Sequence, residues 1–118
     1  MLNRITRATH AAQTVAYQDG SVVSQVMFRN ESGTITAFAF SEGEGLSEHS
    51  NPNDAIVFAL EGTVRLTIGD EEHRLEQGGM LHLPADVPHA LHGGEPFKMM
   101  LTILKKEPAA EGAAERSS

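Results

Sequence analysis

Cysteine is absent from the sequence. This excludes disulfide staples, thiolate catalysis, iron–sulfur clusters and cysteine-based zinc sites, and leaves packing as the source of stability. Positive charge is scarce: nine Lys and Arg residues stand against sixteen Asp and Glu, for a formal net charge of -7. Such a balance opposes the phosphate neutralisation that nucleic acids require, so neither nucleic acid nor an anionic membrane is an expected partner. No apolar run approaches the length of a membrane span, and the first twenty residues lack the apolar segment of a secretory signal. A cytoplasmic location is the expectation. Several catalytic signatures are missing too. There is no G-x-S-x-G or Ser-His-Asp arrangement, and "GGM" is followed by neither a helix nor the lysine of a phosphate loop. No carboxylate pair brackets a sugar site.

What is present reads as strands. "SVVSQVMFR" and "TITAFAFSE" are rich in Val, Thr, Ile and Phe and are separated by the hairpin signal "NESG". "AIVFALEG" follows the turn-forming "SNPND", and "TVRLTIG" alternates Val64, Leu66 and Ile68 with Thr63, Arg65 and Thr67. "HRLEQGG", "MLHLP" and "FKMMLTILK" continue in strand-length pieces between Gly, Pro, Asn and Asp clusters. With no helical stretch and 118 residues, the expectation is one all-β domain, a sandwich or barrel. Residues 1–20 read as an arm or an added edge strand, 21–105 as the barrel, and 106–118 as a mobile tail with no apolar anchor.

Six histidines, at positions 10, 49, 73, 82, 89 and 92, are the chemical surplus. Two blocks hold four of them: "GEGLSEHSNPNDAIVFALEG", residues 43–62, and "GGMLHLPADVPHALHGG", residues 78–94. Together the blocks resemble the two signature motifs of the cupin family. The first motif is Gly, five residues, His-x-His, three or four residues, Glu, six residues, Gly. The second is Gly, five residues, Pro-x-Gly, two residues, His, three residues, Asn. Gly43, His49 and Gly62 keep the first spacing, and Gly78, Pro84 and His89 keep the second. The resemblance covers roughly residues 35–104 and is closest to small bacterial single-domain cupins. It implies a double-stranded β-helix, or jelly-roll barrel, in which His49 and His89 converge inside. It also implies a divalent ion such as Zn, Ni, Fe or Mn, and a homodimer, for which "VVSQVMF" is the expected contact.

The chain departs from that pattern at the ligands. Asn51 stands where the family has its second histidine, Ala55 where it has glutamate, Asp86 where it has the glycine after Pro84, and Gly93 where it has the closing Asn. Of four family ligands His49 and His89 remain. Three further donors are candidates: the Asn51 carbonyl oxygen, the Asp54 carboxylate and His82. Asp54 neighbours Ala55 and so faces the other side of a regular strand, and the neutral Asn51 oxygen suits hard cations better than transition metals. His82 enters the pocket only if Leu81 and Leu83 pack elsewhere, and His92, three residues past His89, diverges from it. His73 and His10 read as solvated, and the Met and Phe residues as core. Asp86 suits a left-handed backbone better than most residues other than glycine.

Two functional expectations follow. One is a barrel pocket centred on His49 and His89 that binds a small molecule, with or without a divalent metal. The other is a metal-dependent enzyme of dioxygenase, isomerase or lyase type.

Overall fold

The alternating segments form nine β-strands in the computed structural model, which describes residues 5–106. In chain order they are β1 (Val22–Asn30), β2 (Gly33–Phe40), β3 (Leu46–His49), β4 (Asp54–Glu61), β5 (Val64–Ile68), β6 (Glu71–Leu75), β7 (Met80–Leu83), β8 (His89–Leu91) and β9 (Phe97–Leu104). They build two antiparallel sheets, one in the order β1-β2-β9-β4-β7 and one in the order β3-β8-β5-β6. This is an all-β jelly-roll barrel. Each tight turn uses the residue its backbone needs. Gly62, between β4 and β5, has φ of 73°, and a Cβ there would lie 2.7 Å from the Pro96 carbonyl oxygen. Asp86 has φ of 68°, in the left-handed region.

Strand alternation sorts the side chains into an inner and an outer face. On β4, Ala55, Val57 and Ala59 are buried while Asp54 is exposed; on β5, Val64 and Leu66 are buried while Arg65 is exposed. The inner face is closed at one end by Phe40 and Phe97, paired across β2 and β9 with ring centroids 4.4 Å apart and an interplanar angle of 12°. Val57, Val64, Leu66 and Met99 pack with them, all essentially without solvent contact. Each such side chain contributes about 1.5–3 kcal/mol on removal from water. Toward the other end of the same strands the inward positions are only partly buried: Ile68 on β5, Leu101 and Ile103 on β9. The barrel is plugged at one end and looser at the other.

Residues 5–20 run as an arm rather than as an edge strand, with a single 3-10 turn at Ala11–Gln13. The arm lies on the outer face of the larger sheet. There Val15 is buried with Met27, Ala37 and Ala39, Lys98 Nζ donates to the Ala12 carbonyl at 2.7 Å, and the Tyr17 hydroxyl donates to Glu61 at 2.7 Å. Burial and the neighbouring Glu61 carboxylate push the Tyr17 phenol far above its ordinary range. Of the tail expected to be mobile, residues 107–118 lie outside the described residues. No helix among the described residues is long and apolar enough to cross a membrane.

Candidate functional site

His49 ends β3 and His89 begins β8, and the two strands pair. Leu46 stands opposite Leu91, and His49 opposite His89. Three steps along β3 therefore match two along β8, so β3 carries one extra residue. On a regular strand His49 would face away from Leu46; the bulge returns it to the side of Leu46, Leu91 and His89. That side is the barrel interior, because Leu91 belongs to the core and His89 pairs with the inward Ile68. The two imidazole rings sit edge to face, with centroids 4.4 Å apart and an interplanar angle of 69°. His49 is exposed and His89 is buried, 8% accessible.

Both rings are held in the same way. His49 Nδ1 lies 2.8 Å from the Ser47 carbonyl oxygen and His89 Nδ1 lies 3.2 Å from that of Val87. A carbonyl oxygen only accepts, so in each ring Nδ1 carries the hydrogen and donates it. In the neutral ring Nε2 is then the lone-pair nitrogen. Burial holds the His89 pKa below its ordinary value; the Val87 carbonyl opposes this shift and the neighbouring His49 adds to it. The loops that carry the two histidines are tied together, since Asp86 N–H donates to the Asn51 carbonyl oxygen at 2.7 Å, and the loop before His89 is tied to the turn after β5 by Gly69 N–H donating to the Pro88 carbonyl oxygen at 2.8 Å.

The further candidate donors are placed elsewhere. Leu83 and Leu81 pack in the core, so His82 between them points outward. Asp54 is outward too, one residue before the buried Ala55. His82 and Asp54 meet each other on that outer face, Nε2 to Oδ1 at 2.9 Å, and Asp54 Oδ1 also accepts the Ala85 N–H at 3.0 Å. These two bonds lower the Asp54 pKa. The Asn51 side-chain oxygen accepts the Asn53 N–H at 2.8 Å, closing the turn before β4. The inward position where a carboxylate would belong is the methyl of Ala55, 5% accessible. His73 lies 3.3 Å from Glu71, at one edge of the smaller sheet, and His92 Nε2 lies 2.6 Å from the Thr67 hydroxyl. Among the described residues no group of three or more His, Asp or Glu side chains is placed to hold a metal ion. The two facing histidines by themselves supply fewer donors than the four a zinc-type site takes. Sequence reasoning missed the bulge in β3, whose only trace is that Leu46 and His49 are an odd number of residues apart.

Comparison with known proteins gives the same architecture. The family model described as "Cupin domain" matches residues 37–103. A conserved protein of unknown function from Streptococcus pyogenes superposes with a TM-score of 0.83 at 31% identity, over 91% of this chain and 96% of that one. A cupin superfamily protein from Desulfitobacterium hafniense does so with a TM-score of 0.83 at 26% identity, over 90% and 99%. An uncharacterized protein of Streptomyces coelicolor is 27% identical over 77 residues, 65% of this chain and 71% of its own length. The paired motifs, the two facing sheets and these likenesses agree: the chain belongs to the cupin domain family.

Proposed function

We propose that the chain binds a small organic molecule at the looser end of the barrel, with His49 and His89 as its polar anchors and no resident metal ion. The observation that carries this reading is the shared anchoring of the two rings. Each Nδ1–H is spent on a backbone carbonyl, which leaves two Nε2 lone pairs in neighbouring rings on the inner face. Two acceptors set among Ile68, Leu46 and the inward leucines suit a compact ligand with hydroxyl or amide donors and an apolar body. With Ala55 and Asn51 at the family's glutamate and second-histidine positions, no third donor stands with the pair among the described residues.

The test is a thermal-shift screen of chelator-treated protein against hydroxy acids, sugars and phenols. A ligand at a hundred times its Kd stabilises by about 2.7 kcal/mol. The expected result is a rise in Tm that the double variant His49→Gln, His89→Gln loses. A screen without hits, or hits that the double variant keeps, rejects the pocket.

One observation favours the second reading, a metal-dependent enzyme. A histidine that donates Nδ1–H to a backbone carbonyl is oriented as metal-ligating histidines are. Here substrate oxygens would have to complete the coordination. Stoichiometric Zn, Ni, Fe or Mn in protein never exposed to chelator, lost in the same double variant, would decide for it. A homodimer belongs to both readings, supported by β1, an edge strand with one unpaired side.

A further inference from the structure

The smaller sheet has an outer face, and its side chains form a row that includes two arginines, on a chain whose formal net charge is -7. On β5 the outward residues are Arg65 and Thr67, since Val64 and Leu66 point inward. On β6 the partner of Arg65 is Arg74 and the partner of Thr67 is Glu72. On the other side of β5, Thr67 pairs with Ala90, and two residues further along the N–H of His92 donates to the Arg65 carbonyl at 2.9 Å. His92, the residue just past the end of β8, therefore stands beside Arg65 on β5 and Arg74 on β6, and adjacent strands are roughly 4.8 Å apart in a sheet.

Two like charges directly opposite each other weaken a strand pair. The arrangement persists in a protein that has only nine cationic side chains. Two surface depressions, of about 680 and 400 Å³, adjoin the row, and the three residues they share as walls are Arg65, Arg74 and His92. Each side chain is held in place. An Arg65 terminal nitrogen donates to the Gly93 carbonyl, Arg74 Nε donates to Glu76 at 2.8 Å, and His92 Nε2 is bonded to the Thr67 hydroxyl. Arg74 is partly neutralised by Glu76, whereas the partner of Arg65 is a neutral carbonyl, so Arg65 carries uncompensated charge and free N–H groups. Glu72 borders one depression and Glu95 the other. These carboxylates would repel a polyanion and leave room for a compact one.

We infer that this row is a second binding site, separate from the barrel interior, for a small anion of the phosphate or carboxylate class. Arg65 holds the anion through its fork, and Arg74 and His92 flank it. A phosphate ester or a dicarboxylate fits, and a nucleic-acid backbone does not.

The test is a titration of full-length, isotope-labelled protein with inorganic phosphate, followed by NMR at the arginine Nε–H signals and at the amides of residues 65, 74 and 92–94. Saturable shifts confined to this face are expected, weakening as sodium chloride is added. Loss of a hydrogen bond to a charged group should weaken binding about tenfold or more in Arg65→Gln, and likewise in Arg74→Gln. Arg65→Lys should fall between, keeping the charge without the fork. Both arginines are exposed, and Arg65→Lys provides a folded comparison if the glutamine variant melts early. His49→Gln should bind phosphate as the parent does, so failure of the barrel pocket leaves this result intact. Shifts that never saturate, or that survive in the double variant Arg65→Gln, Arg74→Gln, overturn the inference.

Discussion

His49 and His89 face each other across β3 and β8 with ring centroids 4.4 Å apart, and they do so because β3 holds one residue more than its partner between the two matched pairs. The contact joins one exposed and one buried imidazole through groups forty residues apart. Its consequences can be measured.

The carbonyls of Ser47 and Val87 fix the hydrogen of each ring on Nδ1. Nitrogen chemical shifts of the imidazoles at neutral pH should therefore report the Nδ1–H tautomer for both residues, against the usual preference for Nε2–H in exposed neutral histidine. An Nε2–H tautomer at His89 would contradict the anchoring.

His89 has a folded-state pKa below its ordinary value of 6.5, because burial opposes its charge. The unfolded chain then takes up a proton first as pH falls, so stability rises with pH between the two values. The contribution is full above about pH 6.5 and is lost as pH falls through the window beneath it. Urea midpoints should decline from pH 7.5 to pH 5.5. The decline should be shallower in His89→Gln, and an identical slope would remove His89 as its cause.

Ala55 is the inward residue at the family's glutamate position. Ala55→Glu should lower stability without metal, since an unpaired buried carboxylate is costly. Added Zn or Ni should recover a large part of that loss, and should raise Tm more in this variant than in the parent. Equal metal responses in the two proteins would mean that position 55 does not face the histidine pair.

Phe97 is 1% accessible and stacks on Phe40. Phe97→Ala should cost about 3–5 kcal/mol, read from chemical denaturation. A cost under roughly 1 kcal/mol would mean that this end of the barrel can collapse around the gap.

Asp86 takes a left-handed backbone, and its N–H ties the loop before β8 to Asn51. Asp86→Ala should destabilise by about 1–2 kcal/mol, whereas Asp86→Gly should be close to neutral. Equal effects would point to the carboxylate rather than the backbone.

The all-β class was legible because the strands are short and most have an inner face that alternates with an outer one. Val64, Leu66 and Ile68 against Arg65 and Thr67 is the clearest case. Asp86 was legible for a similar local reason, as few residues accept a left-handed turn. The outward direction of His82 was only conditionally legible. It follows from alternation once Leu81 and Leu83 are known to be core, and which face is core is not a local property.

The arm at residues 5–20 was ambiguous because its one buried side chain, Val15, packs on residues distant in the chain, Ala37 and Ala39, and its hydrogen bonds reach Glu61 and Lys98. The meeting of His92, Arg65 and Arg74 could not be read either, since it depends on which strands are neighbours and in what register.

Spacing along the chain and the chemistry of single residues were enough to name the strands, the turns and the two histidines, because those depend on backbone preferences and on a period of two. The direction in which each side chain points was decided by the folded sheets. One extra residue in β3 reverses the face of His49, and pairing across strands brings together or separates groups that sequence distance cannot rank.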